Sequence, residues 1–258
     1  MRIFFISPYP EAPGKNGGPS RAQVQARSYA SPGTEIDFGA CDDFAGGQVS
    51  VKLHNQASLN GLHHAMSMTS LLQKVKWCEE QGYDAVIQSN TFDPGVEEMR
   101  LAVNIPVIPT FRTTLHVATM IADRIGITVP FEGHVGYTWK ILRSYGMEHF
   151  VKAIYPIGMY PGTMKSEQEL RDTMVDVLQT LVRDHKPEAI IPLGGALAPN
   201  IVDPKDLEEQ CGVPVLNTKS IAIRIAEMCV NLGLAQSPIA YPHGKLSYED
   251  FFQPAHGS

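Results

Sequence analysis

The sequence predicts a parallel α/β protein built from two pseudo-symmetric halves. Short apolar or β-branched runs alternate along the chain with longer helical stretches, the pattern of strands joined by crossover helices. A strand that runs into Pro and then an aromatic ring occurs twice, in "IFFISPYPEA" near the start and "IGITVPFEGH" at 125–134. Further on, "YDAVIQSNTFDPG" followed by "NIPVIPT" is matched by "PEAIIPLGGALAP" followed by "GVPVLNT". These correspondences keep the same order, so a duplicated unit explains them better than chance.

Taken in order, strands are expected at 2–7, 35–40, 85–89, 107–109, 124–129, 150–157, 189–193 and 213–216. Helices are expected at 20–29, 67–81, 96–103, 114–122, 132–145, 166–184 and 220–232. Ser166 with Glu169 three residues on reads as a capping box. Gly82 and Gly233 stand where helices commonly stop in a left-handed residue. The tail "SYEDFFQPAHGS" has no clear period. In doubly wound sheets ligands bind outside the carboxyl ends of the strands. The loops after Ile6, Gln88, Thr128 and Leu193 are therefore expected to face one another across a cleft between the halves.

A chain of 258 residues with 43% hydrophobic and 19% charged residues can bury a large core. The net charge of -6 argues against a general nucleic-acid or anionic-membrane surface, since both partners call for a basic face. No apolar run approaches the length needed to span a bilayer, and "IFFI" reads as an opening strand rather than a signal peptide. A cytoplasmic location is the default expectation. Cys41, Cys78, Cys211 and Cys229 show no CxxC or Cys/His metal spacing and read as free thiols in packing roles.

The pieces "GYDAVIQSNTFDPGVEEMR", "IPVI" and "EAIIPLGGALA…CGVPVLNTKSIAIRIAEMCVNLGL" resemble the aspartate/glutamate/hydantoin racemase superfamily, on its hydantoin racemase and maleate isomerase side. The DPG turn after a strand and the GVPV segment before a long helix are the best landmarks. The resemblance spans nearly the whole chain and implies two α/β domains, each a four-stranded parallel sheet flanked by helices, with the active site in the interdomain cleft. It implies a first domain of 1–110 plus 219–258 and an inserted second domain of 111–218. It also implies no metal and no organic cofactor, and leaves homo-oligomerisation open. Members of this superfamily place one cysteine in each half, on opposite faces of a substrate carbon. Alignment on the DPG turn puts the first at Asn90 and the second at Gly195, or with a one-residue shift at Gly194. Neither position carries a thiol, and neither a carboxamide nor a glycine can act as a base near neutral pH.

The residues that remain suggest a cradle for an anion. Side chains of Ser7, Ser89, Asn90 and Thr91, with backbone N–H groups of Gly194, Gly195 and Ala196 read as a helix start, are candidate substrate-binding groups. The plain alternative is that Ser89–Thr91 only form a turn and cap the next helix. Tyr9 and Phe131 follow the two Pro turns. Tyr9 is a candidate acid or hydrogen-bond donor, Phe131 an apolar wall, and Tyr137 a second phenol nearby; aromatic packing at the domain junction explains all three equally simply. For proton transfer the candidates are His116, placed at the beginning of the helix after the third strand, His134 and Glu132. "EAPGKNGGPSRAQ" lacks the order of a phosphate loop and reads as a loop over the cleft, with Lys15 and Arg21 able to attract an anion. His63 and His64 are adjacent on a helix and point apart; with His54 and Asp93 they are the only contributors a metal site could draw on, and none is expected.

Together these readings point to a cofactor-independent enzyme acting on a small carboxylate, amide or cyclic imide, by lyase or hydrolytic chemistry through an oxyanion cradle. A racemase or isomerase with a non-cysteine acid and base, and a non-catalytic small-acid binder, are the alternatives.

Overall fold

The structure, a computed structural model, describes residues 1–7, 17–40, 61–161, 163–245 and 247–251. Tyr9, Lys15, Cys41 and His54 lie outside the described residues. The first sheet contains β1 (Arg2–Ser7), β2 (Glu35–Ala40), β3 (Ala85–Gln88) and β4 (Val107–Pro109), in the spatial order β2-β1-β3-β4. The second contains β5 (Ile125–Val129), β6 (Val151–Pro156) and β7 (Ala189–Pro192), in the order β6-β5-β7. All pairings are parallel. In each sheet the first strand, β1 or β5, lies between the second and the third, so the duplicated order in the sequence reappears as duplicated topology.

The expected strand at 213–216 is reduced to a single parallel bridge between Ile190 and Val215. Pro214 explains the short pairing: its carbonyl accepts from Ile190 N, but it has no N–H with which to extend the ladder. The second sheet thus has three strands and the trace of a fourth.

Nine α-helices cover the sheets: α1 (Arg21–Tyr29), α2 (Leu62–Met66), α3 (Met68–Glu80), α4 (Val96–Ala102), α5 (Thr110–Ala118), α6 (Gly133–Tyr145), α7 (Glu167–His185), α8 (Pro204–Cys211) and α9 (Thr218–Asn231), counted among the described residues. Short α2 and α8 are additions to the helices that the sequence pattern predicts. Helix α7 begins as its sequence predicts, with Ser166 Oγ accepting from Glu169 N, although the Glu169 carboxylate turns back to Lys165 N rather than Ser166 N. Strand side chains alternate between two apolar layers. Phe4 and Ile6 face α3 and α4, whereas Ile3 and Phe5 face α1 and α9. In the second sheet Ile125, Ile127 and Val129 pack with α5 and α6, while Gly126 lies against Leu181 of α7.

Two helices change sides. Helix α5 follows the first sheet but puts Phe111, Leu115 and Ala118 into the core of the second. Helix α9 follows the second-sheet strands but buries Ala222, Ile223 and Ala226 against the first. The pair pack on each other and so join the two halves. Phe111 is fully buried at this junction. Truncating it to alanine is expected to lower unfolding free energy by about 3–5 kcal/mol in urea titrations.

Candidate functional site at the strand ends

The loop after β3 is shaped by its own side chains. Gln88, fully buried, donates from Nε2 to Pro94 O at 2.8 Å and accepts from Asn90 N at 3.1 Å, so one amide brackets the turn from both ends. Asn90 Oδ1 accepts from Phe92 N at 2.9 Å, and Asp93 N donates to Asn90 O. Asp93 is left-handed at φ 51, a conformation that aspartate tolerates better than most residues.

The Asn90 amide is therefore fixed in orientation: with Oδ1 engaged, Nδ2 donates to His64 Nε2 at 3.2 Å. The His64 lone pair at Nε2 is an acceptor, so the neutral ring carries its proton on Nδ1, which lies 3.4 Å from Tyr137 Oη. Burial, then the nearby Asp93 charge, raises the Tyr137 pKa and keeps the phenol a donor. The His64 and Tyr137 rings also lie against Phe92, and Phe92 stacks on His134 with centroids 4.9 Å apart. His134 is buried at the start of α6, its Nδ1 accepting from Phe131 N at 3.2 Å; the neutral tautomer thus has its proton on Nε2. His64, read from the sequence only as a metal contributor, is the histidine at Asn90. Its signal is hidden by the 26 residues that separate it from Asn90.

The other wall is the turn after β7. Thr91 Oγ1 accepts from Gly194 N at 2.7 Å, a direct bridge from the first half to the second. Gly194 needs to be glycine: its φ is +91, and an added Cβ would meet Pro130 Cγ at 2.7 Å. Gly195 does not. The nearest atom to its added Cβ is Thr91 Cγ2 at 3.8 Å, ordinary contact distance, so the backbone there would accept a side chain. The segment is not the expected helix start: residues 195–201 form successive turns, and α8 begins only at Pro204. Gly194 N is spent on Thr91, whereas among the described residues the N–H groups of Thr91, Gly195 and Ala196 donate to no protein acceptor. Thr91 is only 3% exposed. A buried amide left unpaired costs about 1–3 kcal/mol, which a bound anion would recover.

The structure thus gathers Asn90, Thr91, Phe131, His134, Tyr137, Gly194, Gly195 and Ala196, with Ser7 and Ser89 at the ends of the adjacent strands β1 and β3. The Ser89 hydroxyl makes no hydrogen bond among the described residues and is half-buried. His116 is not in this group. Helix α5 starts four residues earlier than expected, because Asp93 caps its first turn from a distance, and His116 falls in the exposed last turn. Partial burial of its ring, then the Arg112 charge, lower its pKa. Glu132 is exposed at the N-cap of α6 and, among the described residues, hydrogen-bonds no histidine. Cys211 and Cys229 are held above the usual thiol pKa by burial. Among the described residues no group of three His, Cys, Asp or Glu side chains is assembled for a metal, and no helix is long and apolar enough to cross a membrane.

Asp93 accepts from Phe111 N and Arg112 N, each at 2.8 Å, and from Tyr145 Oη at 2.9 Å. Burial nevertheless dominates and pushes its pKa up from 3.8 to about 6, against those donors and the Arg100 charge. Between these values the folded chain binds more protons than the unfolded one, so stability falls as pH rises through the window. The contribution is present below about pH 4 and lost above about pH 6. The unfolding free energy of the wild type minus that of Asp93→Asn is expected to fall by up to about 3 kcal/mol between pH 4 and 7. A difference independent of pH would contradict the raised value.

Two three-layer α/β bodies joined by exchanged helices, with candidate cradle groups where their strand ends meet, define a two-lobed α/β fold. The chain belongs to the Asp/Glu/hydantoin racemase family, whose sequence profile matches residues 52–226. It is 26% identical over 189 residues to a hydantoin racemase of Rhizobium meliloti, covering 72% of this chain and 77% of that one. A hydantoin racemase of a Pseudomonas strain is 27% identical over 187 residues, covering 70% of this chain and 73% of its own. Among solved structures, allantoin racemase from Klebsiella pneumoniae superposes with a TM-score of 0.79 at 23% identity, covering 96% of this chain and 95% of that one. Unliganded arylmalonate decarboxylase has the same fold at a TM-score of 0.56 and 14% identity, covering 89% of this chain and 92% of that one.

Proposed function

We propose that the protein is a cofactor-independent lyase that cleaves a bond to the α-carbon of a small activated carboxylate and protonates the resulting enolate from one face. The supporting observation is the chemistry of the two walls. The uncommitted N–H groups of Thr91, Gly195 and Ala196 are donors suited to an oxyanion. The proton-transfer pair on the Asn90 side is set to give rather than take a proton. His64 Nε2 is covered by the Asn90 amide, and Tyr137 accepts from His64 Nδ1 while keeping its own O–H. Gly195 offers nothing to the opposite face.

A substrate whose bond breaks by loss of an electrofuge such as carbon dioxide needs no base to begin. The bonding electrons pass into the enolate held by the N–H cradle. Tyr137 then delivers its proton to carbon, the His64 Nδ1–H stabilises the phenolate by donating a hydrogen bond to it, and solvent returns a proton to the phenolate oxygen. A fold neighbour named as a decarboxylase accords with this reading. Residues 1–110 with 219–258, and 111–218, are the two lobes we assign to it.

A second reading, racemisation or isomerisation, is favoured by the names of the relatives. Proton NMR in deuterated water separates the two across malonates, hydantoins, allantoin, succinimides and maleate. A decarboxylated product carrying one deuterium, in a single configuration, is the expected result. Deuterium exchange with loss of optical purity and no new product would replace the lyase by a racemase.

A further inference from the structure

From this geometry we infer that Asp93 is a positioning residue, a rivet that ties the Asn90–Thr91 turn to the body of the second half and so sets the spacing between Thr91 and the Gly194–Gly195 wall. Its meaning for catalysis rests on the cradle reading; its geometry does not. Three observations carry it.

First, the carboxylate makes no bond that merely closes its own turn: it accepts from Phe111 N and Arg112 N of α5 and from Tyr145 Oη of α6. Both helices pack into the second-sheet core, although Asp93 follows a first-sheet strand. Second, α5 has Pro109 at its N-cap with no side-chain cap of its own, so the remote carboxylate supplies the acceptors its first turn lacks. Third, Tyr145 is itself held in place: its ring lies 6.4 Å from that of Phe111, and the Arg112 guanidinium sits 5.3 Å above it. Within the loop, Asp93 N donates to Asn90 O, which joins the rivet to the amide that orients His64.

An acceptor-only group is required, because every partner is a donor. The carboxamide introduced by Asp93→Asn would turn an NH₂ toward at least one of them. Retaining a buried charge that costs stability is consistent with a positional role.

The test reads the cross-lobe bond itself and needs no substrate. In Tyr145→Phe, which keeps the α5 arm with its helix cap and removes only the α6 arm, the Gly194 amide is expected to exchange with solvent about tenfold faster at about pH 7.5. The His64 Nε2 nitrogen resonance should shift with it. The Val86 amide, bonded to Pro106 O within the first sheet, should keep its protection. Asp93→Asn should show the same changes, larger in size. If Gly194 exchange and the His64 resonance stay at wild-type values in both variants while melting temperature falls, Asp93 is a helix cap and the rivet is overturned. Should Asp93→Asn fail to fold, Tyr145→Phe alone decides. Either result leaves the lyase reading to its own NMR assay.

Discussion

Tyr137→Phe is expected to reduce turnover of any substrate found in the deuterium assay by about 10²–10⁴-fold, the range for loss of a positioned general acid. The ring packs against Phe92 and His64, and phenylalanine keeps that packing, so melting temperature should change little. KM should also hold, because the cradle N–H groups on Thr91, Gly195 and Ala196 are backbone and remain in place. A large rise in KM with kcat preserved would make Tyr137 a binding group, and the proton would have to come from elsewhere. Gly61 adds an indirect probe. A Cβ there would come within 2.8 Å of the Tyr137 ring, at a φ of +85.

Installing both thiols, as Asn90→Cys with Gly195→Cys, is expected to create α-proton exchange on both faces, read as decay of optical rotation of an enantiopure hydantoin. The wild type should show at least about 10²-fold less of this activity, since a general base on each face is worth that much to proton abstraction. The geometry permits the change on one side more readily than the other. Gly195 has room for a side chain, with its nearest neighbour at 3.8 Å. Asn90→Cys gives up the bonds to Phe92 N and His64, a cost of about 1–3 kcal/mol if both partners stay unpaired. The single Gly195→Cys variant should fold with wild-type stability and exchange protons from one face only. If the double variant folds and leaves optical rotation unchanged, the two positions are not the facing pair that the family alignment implies.

Much of the architecture is legible in the sequence because it is written in local patterns. Apolar runs bounded by Gly, Pro and Asp mark the strands, and Ser166, Gly82 and Gly233 mark helix ends. The repeated strand-Pro-aromatic segments in the sequence mark the first strand of each half, β1 and β5. The exceptions arise where hydrogen-bond supply overrides hydropathy. The start of α5 is set by a carboxylate 17 residues before Thr110, and with it His116 moves from a first-turn position to an exposed last turn. The strand at 213–216 dwindles because Pro214 withholds a donor, which a hydropathy pattern does not register.

Local sequence alone carries the class of fold, its internal duplication, and the correspondence of the "QSNT" and "LGGA" strand ends that meet in the structure. Those follow from periodicity, turn chemistry and chain order, which act over a few residues. Which groups at those walls are still available for chemistry depends on packing in three dimensions. The fold spends the Gly194 amide on Thr91, brings His64 and Tyr137 to Asn90, and commits Asp93 to two helices of the other lobe. Hydrogen-bond donors and acceptors are consumed pairwise by whatever lies within about 3 Å. That neighbourhood is set by the packing of α5 and α9 across the two sheets rather than by proximity along the chain.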